Sequence, residues 1–176
     1  MLMRAAQRGV TVIEAMIVVA LIAIIIAVGL PMTTEWLANS RIRTASESML
    51  AGLQLARAEA VRRNDLVEFV LTGGTGWMVR TVSGTDVQTR SAGEGTADVV
   101  IAVTPDNTTR VTFDGLGRRR ANIDGSASVE RIDIDLPTTV LPADKSRDLR
   151  LLVGIGGQII MCDPTVTATG DVRKCP

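Results

Sequence analysis

Apolar positions along this chain fall into two regimes. From Ala15 to Met32 no side chain is charged, and from Val10 onward Glu14 is the one charge inside the run. Its content of Ile, Val, Leu and Ala predicts a helix apolar on every face and long enough to span a bilayer once, for which roughly 20 residues are usual. Pro31 near its end is expected to kink or locally melt the helix by removing a backbone bond. Beyond it Ile42, Ala45, Met49, Leu53, Ala56 and Ala60 recur at three- and four-residue steps, which predicts an amphipathic continuation. Arg41, Arg43, Glu47, Gln54, Arg57 and Arg62 take its other faces, and Asn64, tolerant of left-handed geometry, is the expected stop.

After Asn64 the period changes. Short β-prone runs at Leu66–Leu71, Trp77–Val82, Val99–Val103, Arg110–Phe113, Val129–Leu136, Leu149–Val153 and Gln158–Met161 alternate with turn signals such as Thr72-Gly73-Gly74-Thr75-Gly76. Ile132-Asp133-Ile134-Asp135-Leu136 alternates strictly, as a strand with one buried face does. There is no second long helix and no βαβ rhythm. The expected fold class is therefore α+β, a long N-terminal helix laid on an antiparallel β-sheet head. Its segments are residues 10–32 (membrane and assembly half of the helix), 33–64 (amphipathic half) and 65–176 (head).

Composition narrows the chemistry. The 176 residues include 19 basic and 19 acidic side chains, no His and no Tyr. Without His there is no Ser-His-Asp triad, Cys-His dyad or His-ligated metal. Two cysteines are too few for a thiolate zinc site, and four aromatics leave little for stacking bases. Gly73–Gly76 and Gly154-Ile155-Gly156-Gly157 lack the Lys-Ser/Thr ending of a phosphate loop and read as hairpin turns. Asp133 and Asp135 share one strand face and read as solvated acids. No catalytic residue, metal site or cofactor is assigned.

The most informative residues precede the apolar run. Arg4 and Arg8 favour a cytoplasmic N-terminus with the remainder translocated. No small-residue cleavage site follows Pro31, where the chain reads Met-Thr-Thr-Glu-Trp-Leu. Instead Gln7-Arg8-Gly9-Val10-Thr11-Val12-Ile13-Glu14 places a basic leader ending in glycine ahead of the run, with a single acid inside it. This resembles the prepilin leader of type IV pilins and type II secretion pseudopilins, with Val10 standing where the family more often has Phe or Met. The resemblance implies a leader of residues 1–9, cleavage by prepilin peptidase between Gly9 and Val10, and N-methylation of Val10. Glu14 then matches the family's assembly glutamate. A carboxylate near hydrocarbon is costly unless paired, and the α-amino group that cleavage creates on a neighbouring subunit is its natural counter-charge.

Leu53-Gln54-Leu55-Ala56-Arg57-Ala58-Glu59-Ala60-Val61-Arg62-Arg63-Asn64 further resembles the helix end of the GspH/FimT branch. A minor pilin of a type IV pilus is the function implied, and a minor pseudopilin of a type II secretion system is the alternative. A monomeric periplasmic binding module on a plain anchor is the reading outside the family. The implied partners are other pilin subunits, prepilin peptidase and inner-membrane lipid, with the head in the periplasm. Cys162 and Cys175, once in an oxidising compartment, are expected to pair.

DNA is a further candidate partner. Some FimT-type pilins contact it through a Gly-Arg-x-Arg tail before a cysteine; here that stretch reads Gly157-Gln158-Ile159-Ile160-Met161-Cys162, so both arginine positions are uncharged. The candidate DNA-binding residues are instead Arg118, Arg119 and Arg120, with Arg173 and Lys174 in the tail. Loss of Arg4 and Arg8 with the leader leaves 17 basic against 19 acidic side chains, a weakly unfavourable overall field. A solvated turn or a contact between subunits is the reading of the triplet preferred over DNA.

Overall fold

The computed structural model describes residues 10–176, with the side chains of residues 28–32 outside the description. Helix α1 runs from Val12 to Arg63, 52 residues. Thr11 caps its start: the hydroxyl accepts the Glu14 backbone N–H at 3.3 Å, and Glu14 in the first turn suits the positive end of the helix dipole. Asn64 ends it with φ at 51°. The Asn64 N–H donates to the Val61 carbonyl and the Asp65 N–H to the Ala60 carbonyl, the paired bonds of a Schellman stop. The backbone stays helical past Pro31, so the local melting expected there does not occur; one missing N–H removes one ladder bond, too little to end a long helix.

The chain forms two compact units, one ending at Trp36 and the other comprising Leu37–Pro176. In the first, the apolar side chains described between Val10 and Ala27 are exposed on all faces. Among the described residues no helix is long and apolar enough to cross a membrane. The described side chains of the apolar run stop at Ala27, and the remainder of the expected 10–32 span, residues 28–32, lies outside them.

The second unit holds the rest of α1 and nine strands: β1 (Val67–Gly73), β2 (Gly76–Thr81), β3 (Asp86–Arg90), β4 (Val100–Thr104), β5 (Arg110–Phe113), β6 (Arg119–Arg120), β7 (Arg131–Asp135), β8 (Leu149–Val153) and β9 (Ile159–Cys162). They form two antiparallel sheets, ordered β3-β2-β1-β5-β6 and β4-β7-β8-β9. Every expected strand is present within one or two residues at each end. β3 and β6 were not expected: the polar sequence Asp-Val-Gln-Thr-Arg and the arginine pair bury little and pair only because a neighbour presents a free edge. The expected run Val129–Leu136 begins as a crossing. The Val129 N–H bonds to Arg110 in the first sheet, the Glu130 N–H bonds to Thr104 in the second, and the regular strand starts at Arg131.

One core unites the unit. The helical stripe of Ile42, Ala45, Met49, Leu53, Ala56 and Ala60 is buried against Phe69, Trp77, Val79, Val111 and Phe113 of the first sheet and Ile132, Ile134 and Leu151 of the second. Gly52 lets the helix approach: a Cβ there would fall 2.8 Å from Phe69 Cε2 and 3.0 Å from the Trp77 ring. Trp77 Nε1 donates to Ser48 Oγ at 2.9 Å, so the indole is buried without losing its hydrogen bond.

Candidate functional site

Of the residues expected to be processed, Gly9 lies outside the described residues. Val10 is exposed immediately before the helix. Glu14 is exposed on the first turn, and the structure gives it a local environment that the leader pattern did not suggest. Thr11-Val12-Ile13-Glu14 is the Ser/Thr-x-x-Glu signature of a helix start, readable in the sequence but overshadowed by the glycine before it.

The arginine triplet lies on the β5–β6 turn, and its members have different roles. Asp114 organises the turn: its carboxylate accepts the backbone N–H groups of Leu116 (3.0 Å) and Arg118 (2.9 Å) and meets Arg118 Nη2 at 3.3 Å. The Arg118 backbone bond, followed by that of Leu116, holds the Asp114 carboxyl below the usual carboxylate range. Arg119 points inward with 12% of its side chain exposed. It donates to the Val153 carbonyl at 3.1 Å and to Glu130 at 2.9 Å. That couples β6 of one sheet to the end of β8 in the other. Arg119 is thus committed to joining the sheets, while Arg118 is half-exposed and Arg120 exposed. Among the described residues Arg120 has no acidic partner.

Two other segments close on this turn. Arg57 Nε of α1 donates to the Gly117 carbonyl at 3.0 Å. The β8–β9 turn, Gly154–Gln158, comes alongside so that the Arg119 N–H donates to the Ile155 carbonyl at 3.1 Å. Arg62 and Arg63 at the helix end both engage Glu59, which pulls that carboxyl down to about 2. One of the two cationic charges at the helix end is therefore offset by its own acid.

Cys162 and Cys175 are joined as a disulfide. It closes a tail in which Arg173 pairs with Asp171 at 2.7 Å and holds that carboxyl at about 2. The Asp163 N–H donates to the Arg173 carbonyl, which lays the tail beside the end of β9. Lys174 is exposed and, among the described residues, in no ion pair. Val153 pairs with Ile159 at the turn end of the β8–β9 hairpin and Arg150 with Cys162 at the other. The tail cations and the arginine triplet consequently sit at opposite ends of that hairpin and form no continuous basic track. Replacing both cysteines with serine is expected to cost about 2–3 kcal/mol, read by urea unfolding against the oxidised parent. The β8–β9 ladder should survive by amide exchange.

Asp133 and Asp135 differ despite sharing a face. Asp133 bridges Arg131 (2.8 Å) and Arg150 (2.5 Å). Asp135 instead shares the Ser146 hydroxyl with Asp148. Partial burial, followed by the neighbouring acid Asp135, pushes the Asp148 carboxyl above its usual range. A raised carboxyl binds its proton more tightly in the folded than in the unfolded state, so this group opposes folding at neutral pH and ceases to as pH falls. Asp148→Asn is therefore expected to raise Tm at pH 7, with the gain vanishing towards pH 3.8 and below, measured by thermal melts across that range.

Sequence comparison agrees with this architecture. The profile of the type II transport protein GspH matches residues 45–157, and the prokaryotic N-terminal methylation motif matches residues 4–30. No curated protein matches the chain. Among solved structures it is similar to the type IV minor pilin FimU of Pseudomonas aeruginosa (strain PAO1). In one crystal form the identity is 16% and the TM-score 0.52, covering 73% of this chain and 96% of that one. In a second form the TM-score is 0.50 at 16% identity, covering 72% and 99%. With the GspH profile spanning most of the head and the helix that packs on it, and the methylation motif over the segment before, the chain belongs to the GspH family of minor pilins and pseudopilins.

Proposed function

We propose that this chain is a minor pilin, a structural subunit that joins a type IV pilus after removal of residues 1–9 between Gly9 and Val10 and N-methylation of Val10. The family assembles with other pilin subunits, and the finer steps follow from the chemistry. The observation carrying the reading is the division of α1. The stripe from Ile42 to Ala60 is buried in its own head, whereas among the described residues Val12, Ile13, Ile17, Ile22 and Ile25 are exposed. Such a surface stays in water only at great cost. Inner-membrane lipid supplies the cover before assembly, with the head in the periplasm, and neighbouring helices supply it afterwards. Glu14, exposed on the first turn, then meets the new amino group of an adjacent subunit.

The test is direct. The membrane-extracted protein should begin with N-methylated Val10 by intact mass and peptide sequencing. Glu14→Ala should reduce its recovery in sheared filaments by about tenfold or more. A mature chain beginning at Met1, or undiminished recovery of the Glu14 variant, overturns the reading. The GspH profile favours a second reading, a pseudopilin of a type II secretion system, separated by which machinery's deletion abolishes incorporation. DNA contact would fall to Arg118, Arg120, Arg173 and Lys174. With Arg119 committed and Arg173 held by Asp171, these support DNA less than assembly, and a gel shift of the detergent-solubilised chain at two salt concentrations decides it.

A further inference from the structure

Three large aliphatic side chains stand exposed at one end of the head: Leu116 at 72%, Ile155 at 75% and Val61 at 52%. They belong to the β5–β6 turn, the β8–β9 turn and the last turns of α1, segments far apart in sequence. The backbone holds these segments together. A Cβ on Gly157 would collide with the Gly117 carbonyl oxygen, and one on Gly117 would lie 3.1 Å from both Val61 Cγ2 and Arg57 Nε. Around the apolar group stand Arg57, which donates to the Gly117 carbonyl, Arg118, which meets Asp114, and Arg120, which among the described residues has no acidic partner; all three are exposed. Three nearby acids are already engaged, Asp114 by its own turn, Glu130 by Arg119 and Glu59 by Arg62 and Arg63, while the exposed Asp65, among the described residues, accepts only the Leu66 N–H.

We propose that this surface is where the head docks onto a neighbouring protein subunit whose matching surface is apolar at its centre and rimmed by carboxylates. The inference rests on the filament-subunit reading and names the partner surface. Scattered exposed aliphatics need no explanation, but three converging on a fixed backbone do. An aliphatic centre with arginines at the rim is the composition of a protein interface. A phosphate backbone would satisfy the arginines and leave Leu116 and Ile155 uncovered. A second copy using the same face would set arginine against arginine, so the partner surface is a different one. Because both turns are braced by backbone contacts, docking orders little that is not already ordered.

The experiment uses the full chain produced alongside its filament machinery, with a photoreactive benzoylphenylalanine replacing Ile155, Val19 or Val172 in separate strains. Val19 lies in the exposed apolar half of α1 and reports filament entry; Val172, on the exposed tail, reports unspecific proximity. The expected result is an adduct from Ile155 to the head of one co-assembled pilin subunit, mapped to a carboxylate-bearing peptide. It should be weakened about tenfold by Arg120→Glu and be absent from Val172. Leu116→Ser with Ile155→Ser should leave Tm unchanged while lowering co-purification with that subunit about tenfold. The proposal is overturned if Ile155 labels no subunit while Val19 does, if it labels DNA, or if Val172 labels the same subunit as strongly. It is also overturned if the serine pair co-purifies undiminished. Absence of labelling from Val19 overturns the filament reading as well.

Discussion

Gly157→Ala should destabilise the head by more than about 3 kcal/mol, a Tm loss of about 10 °C for a unit of this size. Gly157 has φ at +80°, and left-handed geometry alone costs an L-residue about 1–2 kcal/mol. The larger penalty is steric, because the added methyl would collide with the Gly117 carbonyl oxygen. Backbone cannot rotate away as a flexible side chain can, so the two turns must separate. Separation would disturb the Arg119 N–H to Ile155 bond and the Arg57 bond to Gly117. Gly125→Ala is the matched control. Gly125 has φ at +75° with nothing within 4 Å of the added carbon, so it should lose only about 1 kcal/mol. Equal losses from the two variants, measured by urea unfolding of the detergent-solubilised chain, would refute the steric account.

Phe69→Ala should cost about 3–5 kcal/mol, the range for removing a fully buried ring from a close-packed core. Phe69 is completely buried in β1, next to α1 at Gly52 and 5.8 Å from the Trp77 ring centroid. Its loss leaves a cavity at the contact between helix and sheet, where Gly52 offers no side chain to fill it. Against a typical total of 5–15 kcal/mol, that is a large share of the stability. The readout is the unfolding midpoint together with the near-ultraviolet dichroism of Trp77, the buried one of two tryptophans. A loss below 1 kcal/mol would mean that the head does not depend on this contact.

Much of the fold was legible residue by residue. The helix stop at Asn64 came from a side chain that tolerates positive φ, and its burial stripe from the spacing of Ile42, Met49 and Leu53. The strict alternation of Ile132 to Leu136 marked β7 because a strand with one wet face has no other economical pattern. β3 and β6 escaped because Asp86–Arg90 and Arg119–Arg120 carry no burial signal; partner edges alone make them strands. The arginine triplet illustrates the same limit at the candidate site. In sequence Arg118, Arg119 and Arg120 are equivalent. Folding turns Arg119 towards the Val153 carbonyl and leaves Arg120 in solvent.

Local chemistry, then, determined what depends on neighbours along the chain: the capped and terminated helix, its change from all-round to one-sided apolarity, the hairpin turns and the methylation motif over residues 4–30. These are properties of period, charge and backbone freedom, and they need no distant partner. Tertiary structure alone decided what depends on residues far apart. Gly157 meets Gly117, Leu116 and Ile155 come to share one end of the head with Val61, and Asp135 and Asp148 come to share a serine. The reason is that two sheets packed on one helix bring separate turns within van der Waals contact, and no spacing rule along the sequence encodes which turns those are.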